Sequence, residues 1–253
     1  NSWGFEKTRK YTNVFNRPLL GSIIKPKTGL NNNQLLDMTK QLIDGGVNFI
    51  KEDEILANPN YLTIEKRVEI ISNYIAKSNS KVIFCHCING DHHQILNRAK
   101  LVHNLGGNGI HINFWSGFGV YNAINQIGLP LFIHFQKSGD KVITGKNNPY
   151  GIEWKVICKI AVMCGVDSIH IGMIGGYLNE DQKEMIDIGN HLNQNNTIPA
   201  LSCGLTKDHI QDINSIFGVN YLANAGGSIH SHPNGSRDGA LDIRKTIDKI
   251  AEN

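Results

Sequence analysis

The sequence predicts a (β/α)8 barrel. Three observations carry that expectation: short runs rich in Ile, Val, Leu and Phe recur along all 253 residues, segments with helical spacing of apolar residues lie between them, and several of those segments end at glycine. The runs are LLGSII (19–24), GVNFIK (46–51), KVIFCHC (81–87), NGIHINF (108–114), LPLFIHF (129–135), VDSIHIG (166–172), IPALSCG (198–204) and VNYLANA (219–225). Helical spacing shows in Leu35, Leu36, Leu42 and Ile43, and again in Ile70, Ile71, Tyr74 and Ile75. Gly45–Gly46, Gly106–Gly107, Gly165 and Gly218 mark left-handed helix ends. A last helix is expected from about Leu241 to Ala251. Eight strands alternating with eight helices suit a single barrel of this length. A doubly wound open sheet is the competing arrangement, because alternation does not show closure. The expected division is a lead-in segment over 1–16 and the barrel over 17–253.

Composition narrows the function. With 40% apolar and 19% charged residues the chain can bury a core. Its 25 basic residues against 22 acidic ones leave no polybasic footprint for nucleic acid. No apolar run approaches the roughly 18 to 20 residues that span a bilayer. The opening NSWGFEKTRK is polar and unlike a signal peptide. Five scattered cysteines, an odd number, point to a reducing cytoplasm rather than a disulfide framework. The first residue is Asn1, which suggests a processed chain or a piece of a longer one.

Barrel chemistry belongs just past the C-terminal ends of the strands, and polar residues do collect there. Lys25 and Lys27 follow the first strand, Lys51-Glu52-Asp53-Glu54 the second, and Asn89 the third. His134 ends the fifth, His170 the sixth, Ser202 and Gly204 follow the seventh, and Gly226-Gly227-Ser228 the eighth. Three carboxylates beside a lysine form an oxygen-rich site suited to Mg²⁺. An ideal strand puts Lys51 and Asp53 on one face and Glu52 and Glu54 on the other. A site using both Asp53 and Glu54 therefore requires the strand to end or bend there. Lys51 either pairs with the carboxylates or carries CO2 as a carbamate, which supplies an anionic oxygen. A solvated charge cluster is the plainer alternative.

The segments RPLLGSIIKPKTGL (17–30), NFIKEDE (48–54), LFIH (131–134), IHIG (169–172), LSCG (201–204) and NAGGSIHSHPNG (224–235), in this order, resemble the catalytic barrel of the ribulose-bisphosphate carboxylase (RuBisCO) large-subunit superfamily. The resemblance runs from about Gly4 onward. It implies that Lys51 is carbamylated and holds Mg²⁺ with Asp53 and Glu54. It assigns Lys25 the place of a base-type lysine and Lys27 that of its companion. His134 and His170 would surround substrate oxygens. Ser202 and Gly204 would supply hydroxyl and backbone contacts, and the N–H groups of Gly226 and Gly227 would hold a phosphate.

Two substitutions separate the chain from a carboxylase of that family. The loop after the sixth strand, Gly172-Met173-Ile174-Gly175-Gly176-Tyr177, carries Tyr177 where the resemblance calls for a lysine. A neutral phenol cannot do the work of an ammonium beside a developing carboxylate. Phe135 stands where a phosphate-binding arginine is expected, and it has no donor. One phosphate then fits better than two. The family's N-terminal domain is also absent from this sequence. The expected function is that of a RuBisCO-like, Mg²⁺-dependent enolase or isomerase acting on a phosphorylated keto sugar, with the metal stabilising an enediolate. Lys25 is the candidate base, a role that needs its amine neutral part of the time. A true carboxylase, a decarboxylase of a keto sugar acid phosphate (suggested by ANPNY, 57–61) and an inactive member are the alternatives. A homodimer or larger homo-oligomer follows by analogy.

Other conspicuous residues have plainer readings. Cys85, His86 and Cys87 with His92 and His93 have zinc-type side chains without zinc-type spacing. Buried strand cysteines and a helix opening at His92 fit better. His111 reads as a hydrogen-bonded core or packing histidine, Trp154 as core, and His232-Pro233 as structural; His230 stays open. Trp115 and Phe118 are either pocket-lining or loop-anchoring.

Overall fold

A computed structural model of the chain describes residues 2–178 and 180–251. Asn1 and the last two residues of the expected barrel span lie outside these. The strands are β1 (Leu19–Ile23), β2 (Phe49–Lys51), β3 (Ile83–Cys87), β4 (Gly109–Asn113), β5 (Phe132–Gln136), β6 (Ser168–Gly172), β7 (Ile198–Leu201) and β8 (Leu222–Ala225). They pair in parallel and in sequence order, and β8 returns to β1, so the sheet closes. That settles the barrel against the open sheet.

Eight helices alternate with the strands: α2 (Asn32–Asp44), α3 (Ile64–Ser78), α4 (His92–Asn104), α5 (Phe118–Ile127), α7 (Trp154–Met163), α8 (Gln182–Gln194), α9 (Ile210–Phe217) and α11 (Ser236–Ala251). Three more among the described residues depart from the eight-helix expectation: α1 (Gly4–Thr12) in the lead-in segment, and the single turns α6 (Lys141–Thr144) and α10 (Gly227–His230). Helix starts have local causes. Asn31 with Gln34, and Asp91 with Gln94, form reciprocal capping boxes at α2 and α4. The last helix begins at Ser236 rather than near Leu241. Its added first turn lies beyond the apolar periodicity that marked it in the sequence.

Strand alternation builds two cores. Leu20, Ile50, Phe84, Ile110, Ile133, Ile169, Leu201 and Ala223 pack outward under the helices. Leu19, Phe49, Ile83, Cys85, Phe132, Ile198, Ala200 and Leu222 fill the lower barrel, where Trp3 and Val14 join them. One step of two residues up several strands changes this inner face from apolar to polar: Phe49 to Lys51, Phe132 to His134, Ala200 to Ser202, Leu222 to Asn224. Gly21 sits at that transition, where a Cβ would meet Asn224 Oδ1 and Leu222 Cδ1 at 2.9 Å.

The N-terminal segment plugs the barrel floor through one buried carboxylate. Asp167 Oδ1 accepts from the backbone N–H of Trp3 (2.8 Å) and Gly4 (3.0 Å), and its Oδ2 from that of Ile133 (2.9 Å). The Trp3 ring meets Phe132 edge-on at 5.9 Å. Replacing Asp167→Ala leaves three buried donors without acceptors and should cost about 3 kcal/mol. We expect a lower denaturation midpoint together with faster amide exchange in α1 than in the strands. Unchanged α1 protection would show that Asp167 does not hold the plug.

Candidate active site at the barrel mouth

β2 ends at Lys51, and the chain turns there. The turn is what brings Asp53 and Glu54 to the same mouth despite their opposite places in an ideal strand. Lys51 is 1% exposed, and its Nζ donates to Glu54 Oε2 at 2.9 Å and to the Glu52 carbonyl at 3.2 Å. Lys25, arriving from the end of β1, donates to Asp53 Oδ2 at 2.6 Å. Glu54 is fixed twice more: Ser138 Oγ donates to its Oε1, and Asn89 Nδ2 donates to its carbonyl at 2.6 Å. Burial opposes ionisation of Glu54, but Lys51 and the Ser138 hydrogen bond outweigh it and hold the carboxyl well below the usual carboxylate range.

Glu52 faces the other way, into the layer under α3. It takes Arg67 Nε at 2.9 Å, the His86 ring at 3.0 Å and the Cys87 backbone N–H at 2.8 Å. Arg67, fully buried, also donates to the carbonyls of Leu62 (2.8 Å), Ala57 (2.8 Å) and Cys87 (3.2 Å). It thus clamps both ends of the loop that follows the carboxylates. Burial disfavours the Glu52 charge, yet Arg67 and His86 more than compensate and hold its carboxyl far below the ordinary range.

A cavity of about 520 Å³ opens beside this cluster, lined among others by Lys25, Lys27, Glu54, Gln136, His170, Tyr177, Ser202, Gly204, Gly226 and Gly227. Most of the residues expected from the sequence therefore meet in one place. His134 does not line it. It lies one layer down, its ring tilted against Phe49 with the centroids 5.5 Å apart, with Nδ1 3.1 Å from Ser168 Oγ and Nε2 without a partner. His111 pairs in register with His134 and has no partner on either nitrogen, so of the two expected core roles it is the packing one that the buried ring fills. Burial first, then Lys51, pushes the pKa of both imidazoles well below the usual value and keeps them neutral.

Phe135 needs correction. It points outward, fully buried, with its ring 4.9 Å from Tyr121 and 6.0 Å from Trp154. It is a core residue of the strand–helix layer and forms no part of the cavity wall. Gln136, on the inner face two residues beyond His134, takes the mouth position, with Nε2 donating to Ser138 Oγ at 3.1 Å. The motif reading passed over Gln136 and Ser138, although the period of two from His134 marks Gln136. Lys137 was missed as well. Buried over the Trp154 ring, it pairs with Asp140 at 3.2 Å and Glu180 at 3.1 Å. His230 ties the mouth together, one nitrogen 2.9 Å from the Ile23 carbonyl and the other 2.9 Å from Ser236 Oγ. Cys85 and Cys87 are buried and unpaired, and His92 opens α4 as expected.

Among the described residues no group of three His, Cys, Asp or Glu side chains could hold a metal ion. Asp53 and Glu54 become a three-ligand oxygen site only if Lys51 contributes an anionic oxygen. Its amine lies 2.9 Å from Glu54 Oε2, whereas Asp53 is held by Lys25.

The family model for the ribulose bisphosphate carboxylase large chain, catalytic domain, matches residues 4–253. Two curated relatives named ribulose bisphosphate carboxylase are 26% identical (Methanosarcina mazei, 99% of this chain and 65% of the relative) and 28% identical (Archaeoglobus fulgidus, 98% and 63%). The chain thus spans less than two thirds of these relatives' length. Among solved structures, the octameric ribulose-1,5-bisphosphate carboxylase/oxygenase of Pyrococcus horikoshii, in complex with sulfate ion, superposes with a TM-score of 0.91 at 27% identity, covering 99% of this chain and 62% of that one. A rubisco-like protein from Burkholderia fungorum superposes at 0.88 with 25% identity, covering 100% and 65%.

The Glu52–Arg67 pair yields a pH signature. Glu52 stays ionised in the folded chain at pH values where an unfolded glutamate, pKa about 4.3, takes up its proton. Its stabilisation is therefore complete above that value and lost as pH falls toward the folded pKa. Glu52→Gln should cost about 3 to 5 kcal/mol at pH 7, because Arg67 is left buried and uncompensated. The gap from wild type should narrow below about pH 4. A gap independent of pH in urea unfolding would refute the assignment.

Proposed function

The chain belongs to the family of the ribulose bisphosphate carboxylase large-chain catalytic domain, and from that premise we propose that it is a RuBisCO-like, Mg²⁺-dependent enzyme that enolises or isomerises a phosphorylated keto compound. The observation that carries the proposal is the balanced set of two lysines and two carboxylates at the end of β2, buried Lys51 on half-buried Glu54 and half-buried Lys25 on buried Asp53. Adding CO2 to Lys51 turns a cation into an anion and leaves Lys25 facing three negative groups, an arrangement that calls for a divalent ion. Lys51 as carbamate, Asp53 and Glu54 would hold it. Bound there, Mg²⁺ would polarise a ketone oxygen and stabilise charge developing on it.

The remaining roles fall to the chain's own side chains. Lys25 pairs with Asp53 and lines the cavity, with its Cε near Gly226, and would be the group that moves the carbon-bound proton. Gly226 and Gly227 form the turn into α10 and would bind phosphate through their N–H groups, with Lys27 adding charge. Lys25 and Lys27 are the only cationic side chains on the cavity wall among the described residues. One phosphate is therefore favoured over two. Burial, then Lys137 and Lys51, lower the His170 pKa to about 4, so its neutral ring is a hydrogen-bonding partner for substrate oxygen rather than a counter-charge. His134 would act from beneath that layer.

Tyr177 weighs against CO2 fixation. Partial burial, then the neighbouring Cys203 thiol, push its phenol up to about 12, so it offers no positive charge. The relatives' names support the second reading, a true carboxylase. The octameric state of the P. horikoshii protein supports a homo-oligomer here. No helix among the described residues is long and apolar enough to cross a membrane.

With Mg²⁺ and CO2 present, the protein should exchange the proton next to the ketone of a keto-sugar phosphate with solvent deuterium, and incorporate no labelled CO2. Labelled carboxylated product would establish the carboxylase reading instead. Lys51→Ala should weaken Mg²⁺ binding at least tenfold by calorimetry. Unchanged affinity would remove Lys51 from the metal site.

A further inference from the structure

Cys203 occupies a backbone conformation that suits it poorly. Its φ is +84°, and the next residue, Gly204, is at +111°. A non-glycine residue in that half of the map is uncommon and strained, whereas glycine enters it freely. The turn out of β7 thus carries a strained cysteine where glycine would relieve the strain.

The side chain makes specific contacts. Sγ lies 3.7 Å from His170 Nε2. His170 itself sits within β6, where the register with β7 shifts between His170 and Gly172. The Tyr177 hydroxyl faces the same thiol, and its ring packs against Gly204. Cys203, His170 and Tyr177 all line the cavity that holds Lys25 and Gly226. Two nine-tenths-buried side chains of this wall keep a polar atom without a partner, Gln136 Oε1 and His170 Nδ1. A ligand in the cavity is the natural source of the missing hydrogen bonds.

The donor and acceptor roles depend on the tautomer, and the Ser202 carbonyl competes with the thiol contact as an acceptor for a ring N–H of His170. Burial raises the Cys203 pKa, so the group is S–H rather than thiolate. A neutral imidazole has one donor and one acceptor nitrogen. A thiol that donates to Nε2 makes that nitrogen the acceptor and leaves the ring proton on Nδ1. S–H is a weak donor, so a substrate hydroxyl reaching Nε2 would displace it and gain a stronger bond. A carbonyl or carboxylate oxygen has no proton to offer there.

We propose that Cys203 is a positioning residue: its thiol holds His170 in the Nδ1-protonated tautomer and keeps Nε2 ready to accept a hydroxyl from the substrate, which makes the site selective for a hydroxyketone phosphate. The selectivity rests on the enolase or isomerase reading above; the tautomer does not.

The test uses the purified protein labelled with ¹⁵N-histidine, with His170 assigned by His170→Gln. At neutral pH and without ligand, wild type should show the Nδ1-protonated tautomer, Cys203→Ser should keep it, and Cys203→Ala should shift the tautomer ratio about tenfold. Cys203→Gly should unfold at higher denaturant than wild type and still show the alanine variant's tautomer. A ratio unchanged in the alanine variant would overturn the proposal whatever the enzyme does. In deuterium exchange, dihydroxyacetone phosphate should be preferred over acetol phosphate, which lacks the hydroxyl, and Cys203→Ala should reduce that preference about tenfold through KM. Retention of the full preference in the alanine variant would also overturn the proposal. If wild type exchanges neither compound, the enolase reading fails for these probes, and the tautomer ratio alone decides the role of Cys203.

Discussion

A lysine amine closed off from water needs an anion beside it, and Lys51 satisfies that need through Glu54 at 2.9 Å. Much of the mouth follows from this pair. Glu54 can reach Lys51 only because β2 stops at Lys51 and the chain turns. The turn holds because Glu52, on the opposite face, is locked to Arg67, and Arg67 also binds carbonyls on either side of the following loop. Asp53 then faces Lys25, which draws the end of β1 toward the same point. The charges balance, yet the chemistry of one amine can reverse that balance.

The scaffold separates stability from this chemistry along the barrel axis. Apolar residues fill the floor, and the Asp167 plug seals it. Above them lies a layer of neutral histidines with unfilled hydrogen-bonding capacity, His111 and His134, and above that the charged mouth. Such a layer costs stability that the floor and the outer core must offset. The fold places it where strands end and loops begin, the usual place for chemistry in a barrel.

The alternation of runs and the glycine stops made the eight strands legible in the sequence, and their polar exits located the mouth. Closure was not legible, because it depends on β8 meeting β1 across the whole chain. Face was the second difficulty. Phe135 follows His134 directly and reads as a neighbour in the site, but a strand sends consecutive side chains to opposite sides. Gln136 and Ser138 carry no motif and were overlooked for that reason. Arg67 was invisible because its partners come from β3 and the loop between β2 and α3, which only the folded chain brings together. The strain at Cys203 likewise belongs to the backbone, and composition gives no hint of it.

The central claim is that Lys51 is a switch from cation to anionic metal ligand. Carbon-13 NMR of the protein equilibrated with ¹³C-labelled bicarbonate tests it directly. The account predicts a carbamate resonance that strengthens as Mg²⁺ is titrated in and is absent from Lys51→Ala. A wild-type spectrum with no such resonance at saturating Mg²⁺, or one retained in Lys51→Ala, would contradict it.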